Sequence, residues 1–199
     1  MDSIDLSPKA AEIATCAQSL LATKGYNGFS YADISEAVQI TKASIHHHFP
    51  SKAELVQTVL RRYREQGRQG LAALEKQVED PLARIHAYTK YWESCISDGT
   101  APFCICAMLG SEMPAIPPQV ADEVRGHFLD LATWLAGALK QGASQGIFVL
   151  RSDADAEAMA FMATVHGGML AARVYGDPDA FASVVQQGVR RLLAPAHQH

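Results

Sequence analysis

The sequence predicts an all-α protein: a small N-terminal three-helix head containing a helix-turn-helix, followed by a larger helical domain. Three observations carry this. Capping residues at Ser30, Thr41 and Ser51 open three helices in close succession. Apolar residues recur three and four apart along most of the chain. Finally, 199 residues at 48% hydrophobic content suffice for a head and a second core without help from disulfides.

The elements follow in order. Ser7 then Pro8 marks a first helix start. Ser30 with Asp33 forms a capping box for a helix through Val38, Thr41 caps one running to about Phe49, and Ser51 with Glu54 opens the next. Ile34 and Val38 fall four apart, as do Ile45 and Phe49, and Ile40 sits in the turn between. One apolar face is therefore shared by both short helices. Lys42, Ala43, Ser44, His46 and His47 point away from it, giving small, polar and cationic side chains of the kind a DNA major groove admits. The capped helix continues as a polar connector over 56–78, and Pro81 begins another helix to about Ser97. After the breaker SDGTAPF come a short helix over 104–112, the break MPAIPP, and a long helix over 120–145. Gly146 ends it, and helices over 153–175 and 177–193 close the chain.

From Ile13 to Leu55 the motifs K-G-Y-x-G-F-S, D-I-x-x-A-V and T-K-A-S-I-H-H-H-F-P-S-K appear in sequence. This segment resembles the N-terminal DNA-binding domain of the TetR/AcrR family of bacterial repressors. Gln39 stands where that family usually has Gly, Ile45 where it has Leu, and His46 where it has Tyr. The outward residues and the resemblance together give candidate DNA contacts at Tyr31, Thr41, Lys42, Ala43, Ser44, His46, His47 and Lys52. The resemblance also implies a DNA-binding domain over 1–52, a ligand-binding and dimerisation domain over 53–194, and a tail at 195–199.

The net charge of −4 looks wrong for a DNA binder until it is divided. Residues 1–70 carry eight Lys/Arg against seven Asp/Glu, the remainder nine against fourteen. With a head so weakly basic, affinity must come from a few well-placed cations and from two heads acting together. A small-residue stretch, Ala163, Gly167, Gly168, Ala171 and Ala172, lets another helix approach closely. The resemblance implies that the last two helices pair with those of a second subunit, so that a homodimer reads a palindromic operator on double-stranded DNA. The first residues show no long apolar run, so neither a signal peptide nor a membrane span is expected. The protein is expected in the cytoplasm with its four cysteines as thiols.

Tyr91, Trp92, Phe103, Met108, Trp134, Met159, Met162 and His166 are large, soft or half-polar groups on helices that, the resemblance implies, pack around one cavity, which gives a binding region for a small-molecule effector. Cys104 follows the Pro102–Phe103 break where a helix is expected to begin, and backbone N–H groups there would stabilise its thiolate. A cysteine at this position also resembles a branch of the family that answers to electrophiles or oxidants. Cys106, about 200° further around a helix, is expected to face elsewhere. Taken as a set, the candidate ligand residues are Trp92, Phe103, Cys104, Met108, Trp134, Met162 and His166. No cofactor is expected. The histidine run 46–48 does not suit a metal, because neighbouring helical residues diverge by about 100° while chelating pairs recur four apart. The alternative from another class is a cysteine-dependent enzyme acting on a thiol-reactive small molecule, with Cys104 as nucleophile and His166 as base.

Overall fold

The computed structural model describes residues 6–101 and 103–195. These form α1 (Pro8–Lys24), α2 (Tyr31–Val38), α3 (Lys42–His48), α4 (Lys52–Gln77), α5 (Pro81–Ser97), α6 (Ile105–Gly110), α7 (Pro118–Ser144), α8 (Ala154–Tyr175) and α9 (Asp179–Leu192), with a 3-10 turn at Met113–Ala115. Among the described residues the extended pairing is one antiparallel bridge between Phe148 and Leu193. No helix among them is long and apolar enough to cross a membrane. Of the expected tail, residues 196–199 lie outside the described residues, as does Pro102.

Backbone contacts divide the chain into two compact units. The first holds the described residues up to Gly67 together with Phe103–His127, and the second holds the rest. The first unit is thus discontinuous in sequence, unlike the expected division after residue 52: it recruits α6 and the start of α7.

Within the first unit the caps behave as the sequence predicts. Ser7 Oγ accepts from Ala10 N–H, and Thr41 Oγ1 accepts from Ser44 N–H at 3.1 Å. The box at Ser30 and Asp33 is complete in both directions. Ile13, Leu21, Ile34, Ile45, Leu55 and Leu60 are fully buried, so α1, α2, α3 and the first turns of α4 share one core. The turn between α2 and α3 contains Gln39 in the left-handed region (φ 54°). Its amide donates to Glu36 O at 2.7 Å, which offsets part of the roughly 1 kcal/mol that a non-glycine residue costs there. Farther along, Glu123 of α7 is buried and accepts from Arg61 Nε at 2.9 Å and from Arg64 at 2.7 Å, pinning α4 to α7. Gly126 leaves room for the Arg64 guanidinium, which a Cβ would strike.

In the second unit α8 and α9 pack closely. A Cβ at Gly168 would sit 3.2 Å from Phe181 and 3.3 Å from Val185, and one at Gly188 would sit 2.9 Å from Thr164. Gly168 therefore belongs to packing within the chain, which corrects its expected place on a surface for a second subunit. Gly167 meets nothing within 4 Å, and Met159, Leu170, Val174 and Tyr175 are exposed.

Candidate functional site

The outer face of α3 is open. Thr41, Lys42, Ala43, His46 and His47 are exposed and Ser44 is half-buried, while Ile45 is fully enclosed beneath them. Nothing among the described residues forms an ion pair with Lys42, whereas the His46 ring is partly engaged, with Nδ1 3.2 Å from Pro50 O and its edge 4.8 Å from the Tyr31 ring. Two expected DNA contacts turn inward instead. Tyr31 is buried and donates its hydroxyl to Phe49 O at 2.8 Å; burial first, then Glu54 and Tyr26, push its pKa up to about 12. It fastens α2 to the end of α3. The Lys52 ammonium donates to the carbonyls of Tyr26 and Phe29 and lies over both rings, 4.7 and 4.2 Å from their centroids. Burial lowers its pKa against the opposing pull of Glu112 and Asp33. An ammonium so committed braces the α1–α2 turn and has little left for a phosphate.

Glu112, just beyond α6, holds that same turn. Its carboxylate accepts from the backbone N–H of Tyr26 at 2.9 Å, the N–H of Asn27 at 3.0 Å and Asn27 Nδ2 at 2.8 Å. Gly25 (φ +73°) makes this approach possible, because a Cβ there would collide with Oε1 of Glu112. The S-methyl of Met108 reaches the same glycine from α6. Beside it, the Asp33 carboxyl is held well below the usual range by hydrogen bonds from Lys24 and Ser30.

At the other end of α6, Cys104 is the residue before the helix, in extended backbone (φ −66°, ψ 122°), and its side chain caps nothing. The expected helix over 104–112 is therefore shorter at both ends, and the sulfur does not lean on helix N–H groups. Other donors surround it. Tyr63 donates its hydroxyl to Cys104 Sγ at 3.5 Å, and His127 Nε2 lies 3.6 Å from the same sulfur. The Tyr63 and His127 rings stand 5.3 Å apart. Cys106 lies within α6, two residues on. Burial, then the nearby Cys104, pushes its thiol well above the usual range. Both sulfurs are fully enclosed, while Tyr63 and His127 are partly exposed. His127 and Tyr63 were not legible as partners from the sequence, and His166, the expected base, belongs to the second unit with its ring 5.2 Å from Phe128.

The remaining ligand candidates divide between the units. Phe103, Cys104 and Met108 fall in the first; Trp92, Trp134, Met162 and His166 fall in the second. Trp92, Trp134 and Met162 are buried, but Tyr91 and Met159 are more than half exposed and belong to the surface, a correction to their expected place in the binding region. Trp134 packs 5.7 Å from the Tyr88 ring, and its buried Nε1–H has no acceptor among the described residues.

A short exposed helix braced on a helical head, in a chain that carries a second helical unit, is the arrangement of a DNA-binding regulator. Residues 13–59 match the family described as bacterial regulatory proteins, tetR family, and residues 81–187 match the tetracyclin repressor-like C-terminal domain. The chain belongs to the TetR family of transcriptional regulators. It is similar, at 50% identity over 94% of this chain and 98% of the other, to the crystal structure of a TetR-family transcriptional regulator from Agrobacterium tumefaciens, with a TM-score of 0.91. The fold is shared with reduced NemR of E. coli (19% identity, 94% and 98% of the chains, TM-score 0.82). A putative regulator from Saccharomonospora viridis solved with choline has it too (20% identity, 95% and 100%, TM-score 0.79). No curated protein matches the chain.

Proposed function

We infer that the protein is a cytoplasmic, homodimeric transcriptional repressor that occupies a palindromic operator and leaves it when a small electrophile or oxidant modifies Cys104. The observation that carries this is the span of α6: the Cys104 sulfur lies at its start, and Glu112 just past its end grips the α1–α2 turn of the head. An adduct in a fully enclosed site must displace its neighbours, since packed interiors do not yield smoothly, and the nearest rigid path out is α6. DNA contacts are assigned to Thr41, Lys42, Ala43, Ser44, His46 and His47, with Tyr31 and Lys52 in supporting roles. The outward face of α8 at Gly167, Leu170 and Val174 is assigned to the second subunit. TetR-family regulators are in general not enzymes, and we assign no turnover to Cys104.

A second reading has its own support. The unpaired, buried Nε1–H of Trp134 would welcome an acceptor oxygen on a reversibly bound effector, with Trp92, Met162 and His166 of the same unit as further candidates. One comparison separates the two. Operator DNA is titrated with wild-type and Cys104→Ser protein, then treated with electrophile. Thiol control predicts release from wild type only; equal release from both leaves reversible binding as the better account.

A further inference from the structure

Two side chains converge on one sulfur. Tyr63 O–H from α4 donates to Cys104 Sγ at 3.5 Å, and His127 Nε2 from α7 stands 3.6 Å away. All three residues belong to the same compact unit. We propose that Tyr63 and His127 form a cradle that activates Cys104 for conjugate addition to small, uncharged α,β-unsaturated carbonyl compounds, with His127 carrying the proton. The proposal deepens, and rests on, the reading of Cys104 as the effector-responsive thiol.

The chemistry follows from the contacts. A thiol becomes a nucleophile only when its proton leaves, and the group placed to take it is the imidazole at Nε2. The imidazolium formed and the Tyr63 hydroxyl then stabilise the thiolate as charge-assisted donors. Sulfur adds to the β-carbon, forming the C–S bond; the alkene π pair moves onto the carbonyl as an enolate; and His127 returns the proton to the α-carbon. The sum is addition of S–H across C=C, with no oxidant, no leaving group and no net proton change.

The surroundings favour this thiol and this class of partner. The other charged groups near the pair are Arg64, Arg61 and Glu123, whose carboxylate takes both guanidiniums at 2.7 and 2.9 Å; one anion between two cations leaves these surroundings net positive, which favours a thiolate. Burial, then the nearby Cys104, pushes the Cys106 thiol well above the usual range, so it does not compete for the electrophile. Burial, then Asp33 and Glu12, raise the pKa of Cys16 as well. Cys104 itself is fully enclosed, whereas Tyr63 and His127 are partly exposed, so an incoming molecule passes those two rings. A charged electrophile would shed its hydration there at heavy cost, while a compact neutral enone would not.

Methyl vinyl ketone is the probe, applied to the full-length protein across about pH 5.5 to 9, with adducts located by peptide mass and rates taken from the loss of unmodified Cys104. Wild type is expected to react first at Cys104, ahead of Cys16, Cys95 and Cys106. His127→Gln should slow that reaction about tenfold or more at pH 6.5 and move the midpoint of the rate profile to higher pH, with a smaller shift of the same sign for Tyr63→Phe. Circular dichroism checks that both variants remain folded, and Tyr63→Phe, which keeps the ring, decides the matter if His127→Gln does not. Wild-type rates and midpoints in both variants, or a first adduct on another cysteine, would overturn the cradle. Operator binding on the same samples keeps the two proposals apart: fast, His127-dependent alkylation without DNA release sinks the regulatory reading and leaves the cradle standing.

Discussion

Two lysines of the head have opposite duties, and the difference is measurable. Lys42 stands exposed on α3, whereas Lys52 gives its ammonium to the Tyr26 and Phe29 carbonyls. Lys42→Ala should weaken binding to every DNA sequence and reduce the salt slope by about 2 in a dimer, since each subunit loses one phosphate contact worth roughly 0.9. Lys52→Met should leave the slope of the folded protein unchanged but lower head stability by about 1–3 kcal/mol, because two carbonyls lose their donor. Salt titrations of operator affinity beside thermal melts test both; equal slopes for wild type and Lys42→Ala would remove Lys42 from the interface. Sequence alone could not separate the two lysines, as both lie in the matched motif. The same limit applied to Cys104. Its place after a Pro–Phe break was visible, but its partners Tyr63 and His127 lie 41 and 23 residues away, and only the fold brings them to the sulfur.

Helix boundaries were largely written in local chemistry. Asp80 with Pro81 starts α5 and Asp153 starts α8, where a carboxylate accepts from the backbone N–H of Ala83 and of Ala156. Local signals failed where a residue precedes its helix without capping it, as at Cys104, and where helix faces had to be assigned. The small residues of α8 were legible as a close-packing stripe, but the partner was not: Gly168 faces Phe181 of α9, and Gly167 faces outward. The two glycines should therefore fail differently. Leu at position 168 overpacks α8 against α9 and should cost about 1–3 kcal/mol or more in unfolding free energy. Leu at 167 should leave the melting temperature of the monomeric fold nearly unchanged and alter dimer dissociation in sedimentation. Identical effects at both positions would contradict this division of the helix.

At the scale of the molecule, the feature to which the proposed function gives the transmission is the Glu112 carboxylate on Tyr26 and Asn27, 86 and 85 residues away in sequence. No pattern in the chain announces it, although the K-G-Y turn supplies the glycine it needs. Glu112→Ala should cost about 1–2 kcal/mol, since water replaces part of what three donors lose. Its larger effect should be on coupling: Cys104 should alkylate at the wild-type rate while the same adduct releases less operator DNA. Fluorescence anisotropy of labelled operator, read beside intact mass, measures both quantities, and full release from the variant would place the transmission elsewhere. The contact also sets a rule for engineering. A head cut after residue 52 and grafted onto a foreign sensor domain leaves behind the acceptor for its own α1–α2 turn, with a Gly25 cleft shaped for a side chain that is missing. Hybrid regulators that still answer their effector should be those whose new sensor brings a carboxylate to that cleft. Swaps chosen by sequence boundaries alone should yield heads that bind DNA but no longer listen.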